Sequence, residues 1–124
     1  MTNELAGWGA VMASLAMGLY MGLKFQREDW LGGYGSFPRR MVRLAHIALA
    51  AIGILNIQFA YALPRLRLNP ALAETASLAL MAAAVLMPAC CLWMAWRRSH
   101  YAIFAAPFLC LVMGVGLTMG GLIR

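Results

Sequence analysis

Charge is what this 124-residue sequence has least of: 11% of its residues are Asp, Glu, Lys or Arg, against roughly 25% in an ordinary soluble domain. Acids are scarcest, with Glu4, Glu28, Asp29 and Glu74 the complete set. Glu28 and Asp29 are adjacent between apolar runs, Glu4 and Glu74 flank other runs, and none stands beside a histidine in an apolar stretch. General acid–base catalysis needs such groups within hydrogen-bond reach in a shielded place, so an enzyme is not expected. The apolar runs themselves carry no Asp, Glu, Lys or Arg. Ion-coupled transporters and proton pumps usually keep an ionisable group at depth, and this shortage argues against both. Cysteine is also sparse. Cys90, Cys91 and Cys110 all fall inside apolar runs, and neighbours on a helix point about 100° apart, so a Cys90–Cys91 disulfide is not expected. A basic segment before the first run is missing, with Glu4 in its place, so that run reads as a retained helix and not a cleaved signal. No internal repeat suggests inverted transporter halves.

What fills the chain is apolar residues, 64% of the total, with a mean hydropathy of +0.77. In water such a composition would expose large apolar patches, which soluble monomers avoid. Lipid resolves the conflict. A hydrocarbon layer of about 30 Å takes roughly 20 apolar residues in helix, and the sequence offers four runs of that length, at 5–23, 44–63, 75–96 and 101–123. The expected fold is an all-α membrane protein, a single four-transmembrane-helix bundle over residues 1–124 with an interfacial first loop. Lys24, Arg27, Arg39, Arg40, Arg43, Arg97 and Arg98 lie at one end of these runs, and Arg65, Arg67 and Arg124 at the other. That asymmetry predicts both termini outside, and a bacterial inner membrane is the expected location.

The first loop, residues 24–43, mixes Trp30, Leu31, Tyr34 and Phe37 with charges and with Gly32, Gly33 and Gly35. Aromatics at headgroup depth with snorkelling arginines suit a segment lying along the interface. Arg39, Arg40 and Arg43 then make a basic cluster before the second run. A plain positive-inside anchor explains it most simply; the alternatives are an anionic-lipid site or a docking surface for another subunit, with Trp30 beside it. Nucleic acid is not an expected partner, because no polar surface large enough to follow a backbone is present.

Small residues recur every four positions in the first run, at Ala6, Ala10, Ser14, Gly18 and Gly22, and Gly116 and Gly120 repeat the spacing in the fourth. Such stripes let helix backbones approach closely when lipid supplies no hydrophobic drive. They predict helix packing without saying whether the partner helix belongs to this chain. His46 lies about one turn inside the second run, with Ala50, Gly53, Ile57 and Ala60 following on roughly the same face. A histidine above small residues fits an axial ligand to haem or a (bacterio)chlorophyll. His100, at the start of the fourth run, lies at the same expected end and would complete a bis-histidine haem. The simpler reading gives both histidines an interfacial partner such as water, phosphate or a carbonyl. Asn56 and Gln58, deep in the second run, are expected to bond across helices. Met87, Cys90, Cys91 and Met94 share one helical face able to hold Cu(I), though Met is also a common filler of irregular packing. Pro88 and Pro107 should kink their helices.

These features point first to a small non-catalytic accessory subunit of a larger membrane complex, of the respiratory or photosynthetic electron-transfer kind. Its partners would be other integral-membrane subunits and anionic lipids. The alternatives are a haem- or chlorin-binding subunit with His46 as axial ligand, a small homo-oligomeric transporter or channel, and, more remotely, a copper-handling protein.

Overall fold

A computed structural model describes residues 2–98 and 100–123, all helix, turn or connecting loop. Four helices carry the chain: α1 (Thr2–Lys24), α2 (Phe37–Ala62), α3 (Pro70–Trp96) and α4 (Ala105–Ile123). With the 3-10 turns that extend two of them, all four are long and apolar enough to cross a membrane. Each exceeds or shifts from its apolar run for an identifiable reason. Helix α2 begins seven residues before the run because Ser36 caps it, its hydroxyl accepting from the Arg39 N–H at 3.3 Å, and Pro38 sits where no amide is needed. Arg39, Arg40 and Arg43 are therefore helical, and the loop before α2 shrinks to residues 25–36. Helix α3 starts at Pro70 in the same way, capped by Asn69 accepting from Leu72 N–H at 2.8 Å. At the fourth run, residues Tyr101–Phe104 form a 3-10 turn and α4 starts only at Ala105. Pro107 thus falls in a first turn, where its missing N–H costs nothing and no kink is required. Helix α3 continues through Pro88 as one α-helix.

The helices pack in chain order, α1 on α2, α2 on α3 and α3 on α4, with a lesser contact between α1 and α3. The layout is open at one edge, for α4 lies against the others chiefly through α3. Three apolar clusters fill the seams. Ala48, Ile52, Ala83 and Ala84 form the middle one, with Cys110 and Leu111 of α4 against it. Met21, Val42 and Ala95 pack at one end under Trp30 and Leu31. Phe59, Ala76 and Leu80 pack at the other, with Val115 and Leu117 leaning on them. Alanine dominates these seams, so backbones and not bulky side chains set the spacing.

Alternation of direction puts Lys24, Arg27, Arg39, Arg40, Arg43, Arg97 and Arg98 at one end of the molecule. Arg124, counted with the opposite end, lies outside the described residues. At the basic end the chain turns through Leu31, Gly32 and Gly33, all at positive φ (55°, 84° and 96°). Two glycines take this conformation freely, while Leu31 carries a cost of about 1 kcal/mol or more. The Ser36 hydroxyl offsets it by donating to the Leu31 carbonyl at 2.6 Å.

Candidate functional site

Helices α1 and α2 come close enough for their backbones to meet. A Cβ on Gly7 would stand 2.6 Å from the Gly53 carbonyl oxygen, and one on Gly53 would stand 2.9 Å from the Gly7 carbonyl oxygen. Two carbonyl-bearing backbones meet here with no side chain between them. The space that Gly53 opens below His46, offered by the sequence to a macrocycle, is taken by α1, with Ala10 and Val11 within 3.1 Å of the Cβ position. One turn up, Ser14 and His46 bond reciprocally. The Ser14 hydroxyl donates to the His46 carbonyl at 3.0 Å, and His46 Nδ1 lies 2.9 Å from the Ser14 carbonyl. A carbonyl oxygen can only accept, so Nδ1–H is the donor to it, and the Ser14 hydroxyl oxygen lies 3.1 Å from the same nitrogen. Gly18 closes over the ring, its Cβ position 2.9 Å from Cε1. His46 is thus a half-buried member of the α1–α2 seam, whereas His100 stands exposed, capping the 3-10 turn before α4.

Asn56 is fully buried and links three helices. Its amide donates to the Ile52 carbonyl and to the Leu80 carbonyl, each at 3.0 Å, and its oxygen accepts from Asn3 Nδ2 at 2.9 Å. Asn3 also donates to the Ser77 carbonyl at 3.2 Å and accepts from the Ser77 hydroxyl. The interhelical role expected of Asn56 is what these bonds perform inside the chain. Asn3 and Ser77 were not singled out by the sequence, since Asn3 precedes the apolar run and Ser77 looks like any small residue. Gln58, two residues on, differs: it is exposed and makes no hydrogen bond with its side chain among the described residues.

Gln58 lines a 250 Å³ groove between α2 and α4, with Leu55, Ala62 and Arg65 on one wall and Val115, Thr118, Met119 and Leu122 on the other. The groove continues along Leu55, Val115 and Met119 into a shallower apolar trough reaching Leu111, Val112 and Gly116. Gly116 and Gly120 meet nothing within 4 Å, as do Gly9 and Gly22 on α1. The glycines of α4 that pack inside the chain are others. A Cβ on Gly114 would stand 2.6 Å from Leu80 Cγ, and one on Gly121 2.7 Å from Leu68 Cγ. The backbone bond from Arg67 N–H to the Gly121 carbonyl, at 2.9 Å, ties the loop before α3 to the same end of α4.

Arg39 is only 2% exposed, and its guanidinium carbon lies 5.1 Å from the Phe25 ring centre and 5.3 Å from those of Trp30 and Tyr34. Its Nε has no hydrogen-bond partner among the described residues. Three π faces hold the cation and fasten the 25–36 loop over the start of α2. Arg43 also lies over Tyr34, 4.7 Å from its ring centre, and donates to the Tyr34 carbonyl. Arg40 turns away from the cage toward Arg98, in a separate hollow.

The sulfur face of α3 is divided among tasks. Cys91 and Met94 are buried, Met87 packs on the Ala48–Ile52–Ala83–Ala84 cluster, and Cys90 S–H points at the Ile103 carbonyl, 3.4 Å away. Cys90, Cys91 and Cys110 are free thiols. Among the described residues, no three His, Cys, Asp or Glu side chains gather as a metal site would require. Comparison with protein-family models, with curated proteins and with solved structures returned no significant match.

Proposed function

We propose that this chain is a non-catalytic integral-membrane subunit that works by packing against the transmembrane helices of partner proteins. The observation that carries this reading is the α2–α4 groove. It is an apolar channel walled in part by an open glycine, Gly116, and it contains a carboxamide, Gln58, with no partner among the described residues of its own chain. In lipid a polar group without a partner is costly, and a second helix laid into the groove would both use the close approach at Gly116 and satisfy Gln58. The inner-membrane location, the outward termini and the interfacial 25–36 loop belong to the same proposal. Supporting them are the excess of arginine at one end and the aromatic cage around Arg39. An electron-transfer assembly is the class of complex we favour.

Gentle solubilisation followed by native electrophoresis and mass spectrometry tests the proposal. Co-migration with larger integral-membrane subunits is expected, and it should be lost in a Gln58→Leu, Gly116→Leu variant that still folds. Migration as a monomer or a homo-oligomer free of other subunits overturns it, the homo-oligomer favouring a small transporter or channel. A second reading, tetrapyrrole ligation, draws on one observation: Nδ1 of His46 is held by the Ser14 carbonyl, and Nε2 makes no hydrogen bond among the described residues. A carbonyl held on Nδ1–H is what a ligating histidine needs. Visible absorbance lost on His46→Ala would establish that reading, and a colourless complex removes it.

A further inference from the structure

We propose that the hollow lined by Phe37, Arg40, Met94, Arg98 and Tyr101 binds the phosphate of an anionic phospholipid. The hollow measures 370 Å³ and is drawn from three elements: the first turn of α2, the end of α3 with the residues after it, and the 3-10 turn before α4. Two arginines from different elements line this one space. Neither the Arg40 nor the Arg98 side chain has an ion pair or hydrogen bond among the described residues. The acids of this end do not answer them, for Glu28 lines a different hollow beside Arg39, and Asp29 precedes the 3-10 turn of the loop.

Arg98 lies 5.2 Å over the Phe37 ring. Stacking of that kind occupies the face of a guanidinium and leaves its N–H edge free, the edge that bonds two phosphate oxygens at once. Tyr101 lines the hollow and brings a hydroxyl to it, and Trp93, Trp96 and Tyr101 are exposed at this end of the chain, as aromatics are at headgroup depth. A phosphodiester there would give both cations a counter-charge, with its acyl chains running down the apolar flank of α3 and α4. The inference rests on the chain being embedded in a membrane, but not on its having partner subunits. A requirement for detergent during extraction tests that first condition separately.

The experiment uses the purified full chain in detergent, mixed with dioleoylphosphatidylglycerol or dioleoylphosphatidylcholine and read by native mass spectrometry. The anionic lipid should be retained in preference to the zwitterionic one. An Arg40→Gln, Arg98→Gln variant should bind it more weakly by about tenfold for each guanidinium removed. A Lys24→Gln, Arg27→Gln variant removes two charges from the same end and should change binding by less than about threefold. Circular dichroism checks that both variants keep their helices. Equal weakening in the two variants, or equal retention of both lipids, overturns the proposal by showing only diffuse attraction. Displacement of bound lipid by millimolar glycerol 3-phosphate also overturns it, since the ligand would then be a soluble phosphate ester.

Discussion

A Cβ placed on Gly7, at the α1–α2 seam, would stand 2.6 Å from a carbonyl oxygen, while the same atom on Gly116 of α4 would meet nothing within 4 Å. Both glycines belong to apolar helices rich in small residues, yet one is consumed by the fold and the other faces away from it. The first seam is closed three times over, by the Gly7–Gly53 crossing, by the Ser14–His46 bonds and by the Asn3–Asn56–Ser77 group. The edge of α4 has no comparable polar lock among the described residues, being held by apolar contacts, Gly114 and Gly121 against leucines among them, and by a backbone bond. The contrast shows how small residues divide their work. Where a glycine faces a backbone it sets the spacing of two helices, and where it faces outward it leaves the helix surface flat.

Breaking the tight seam should have the largest effect. Gly7→Leu would have to push aside the Gly53 carbonyl and Ile57, neither of which can retreat without moving α2, and a loss of about 3 kcal/mol is expected. Gly9→Leu, two residues on in open space, should change nothing; unfolding in a denaturing detergent followed by circular dichroism compares them. Equal tolerance of both would show that α1 does not sit where the contact places it. Next in size, Asn56→Leu should cost about 2 kcal/mol, because it removes the link to the Leu80 carbonyl and leaves one Asn3 N–H buried without its acceptor. The same unfolding measurement applies, and an Asn3→Leu, Asn56→Leu pair should lose less than the two single changes added together.

Within α4 the contrast can be sharpened over a single turn. Gly114→Val would strike the buried Leu80 side chain and cost about 1–2 kcal/mol, while Gly116→Val should stay within about 0.5 kcal/mol. If α4 were rotated so that Gly116 faced α3, the two results would exchange. Among the contacts that close the α1–α2 seam, the smallest loss is expected for Ser14→Ala, about 1 kcal/mol, since His46 Nδ1–H keeps its bond to the residue-14 carbonyl whatever the side chain. Thermal unfolding of that variant beside Gly7→Leu ranks the two.

The four long apolar helices were legible because each is a run of about twenty apolar residues, the length that a hydrocarbon layer asks of a helix. Their ends were not. Hydropathy stops at the first charge, so Arg39, Arg40 and Arg43 read as loop, whereas the capping serine and Pro38 begin α2 at Phe37. Glycine spacing was legible as a packing signal, but period four cannot choose between Gly116 and Gly114, which lie two residues apart and point to opposite sides. Asn56 announced its need for a partner. The partner stayed hidden, because nothing local marks Asn3 as lying 2.9 Å from a residue fifty-three positions away. His46 showed the other kind of failure: its small neighbours described a space correctly, without telling that another helix of the chain fills it.

That Asn3 bond has a consequence for how the molecule is made. Ribosomes deliver α1 first, while the groups that complete Asn3 arrive at residues 56 and 77, in the second and third helices. Until then the first helix is without the partners that Asn3 has in the folded chain. The three-helix unit that these bonds join can therefore close only after the third helix has been made, and α4 is the last helix available to join it.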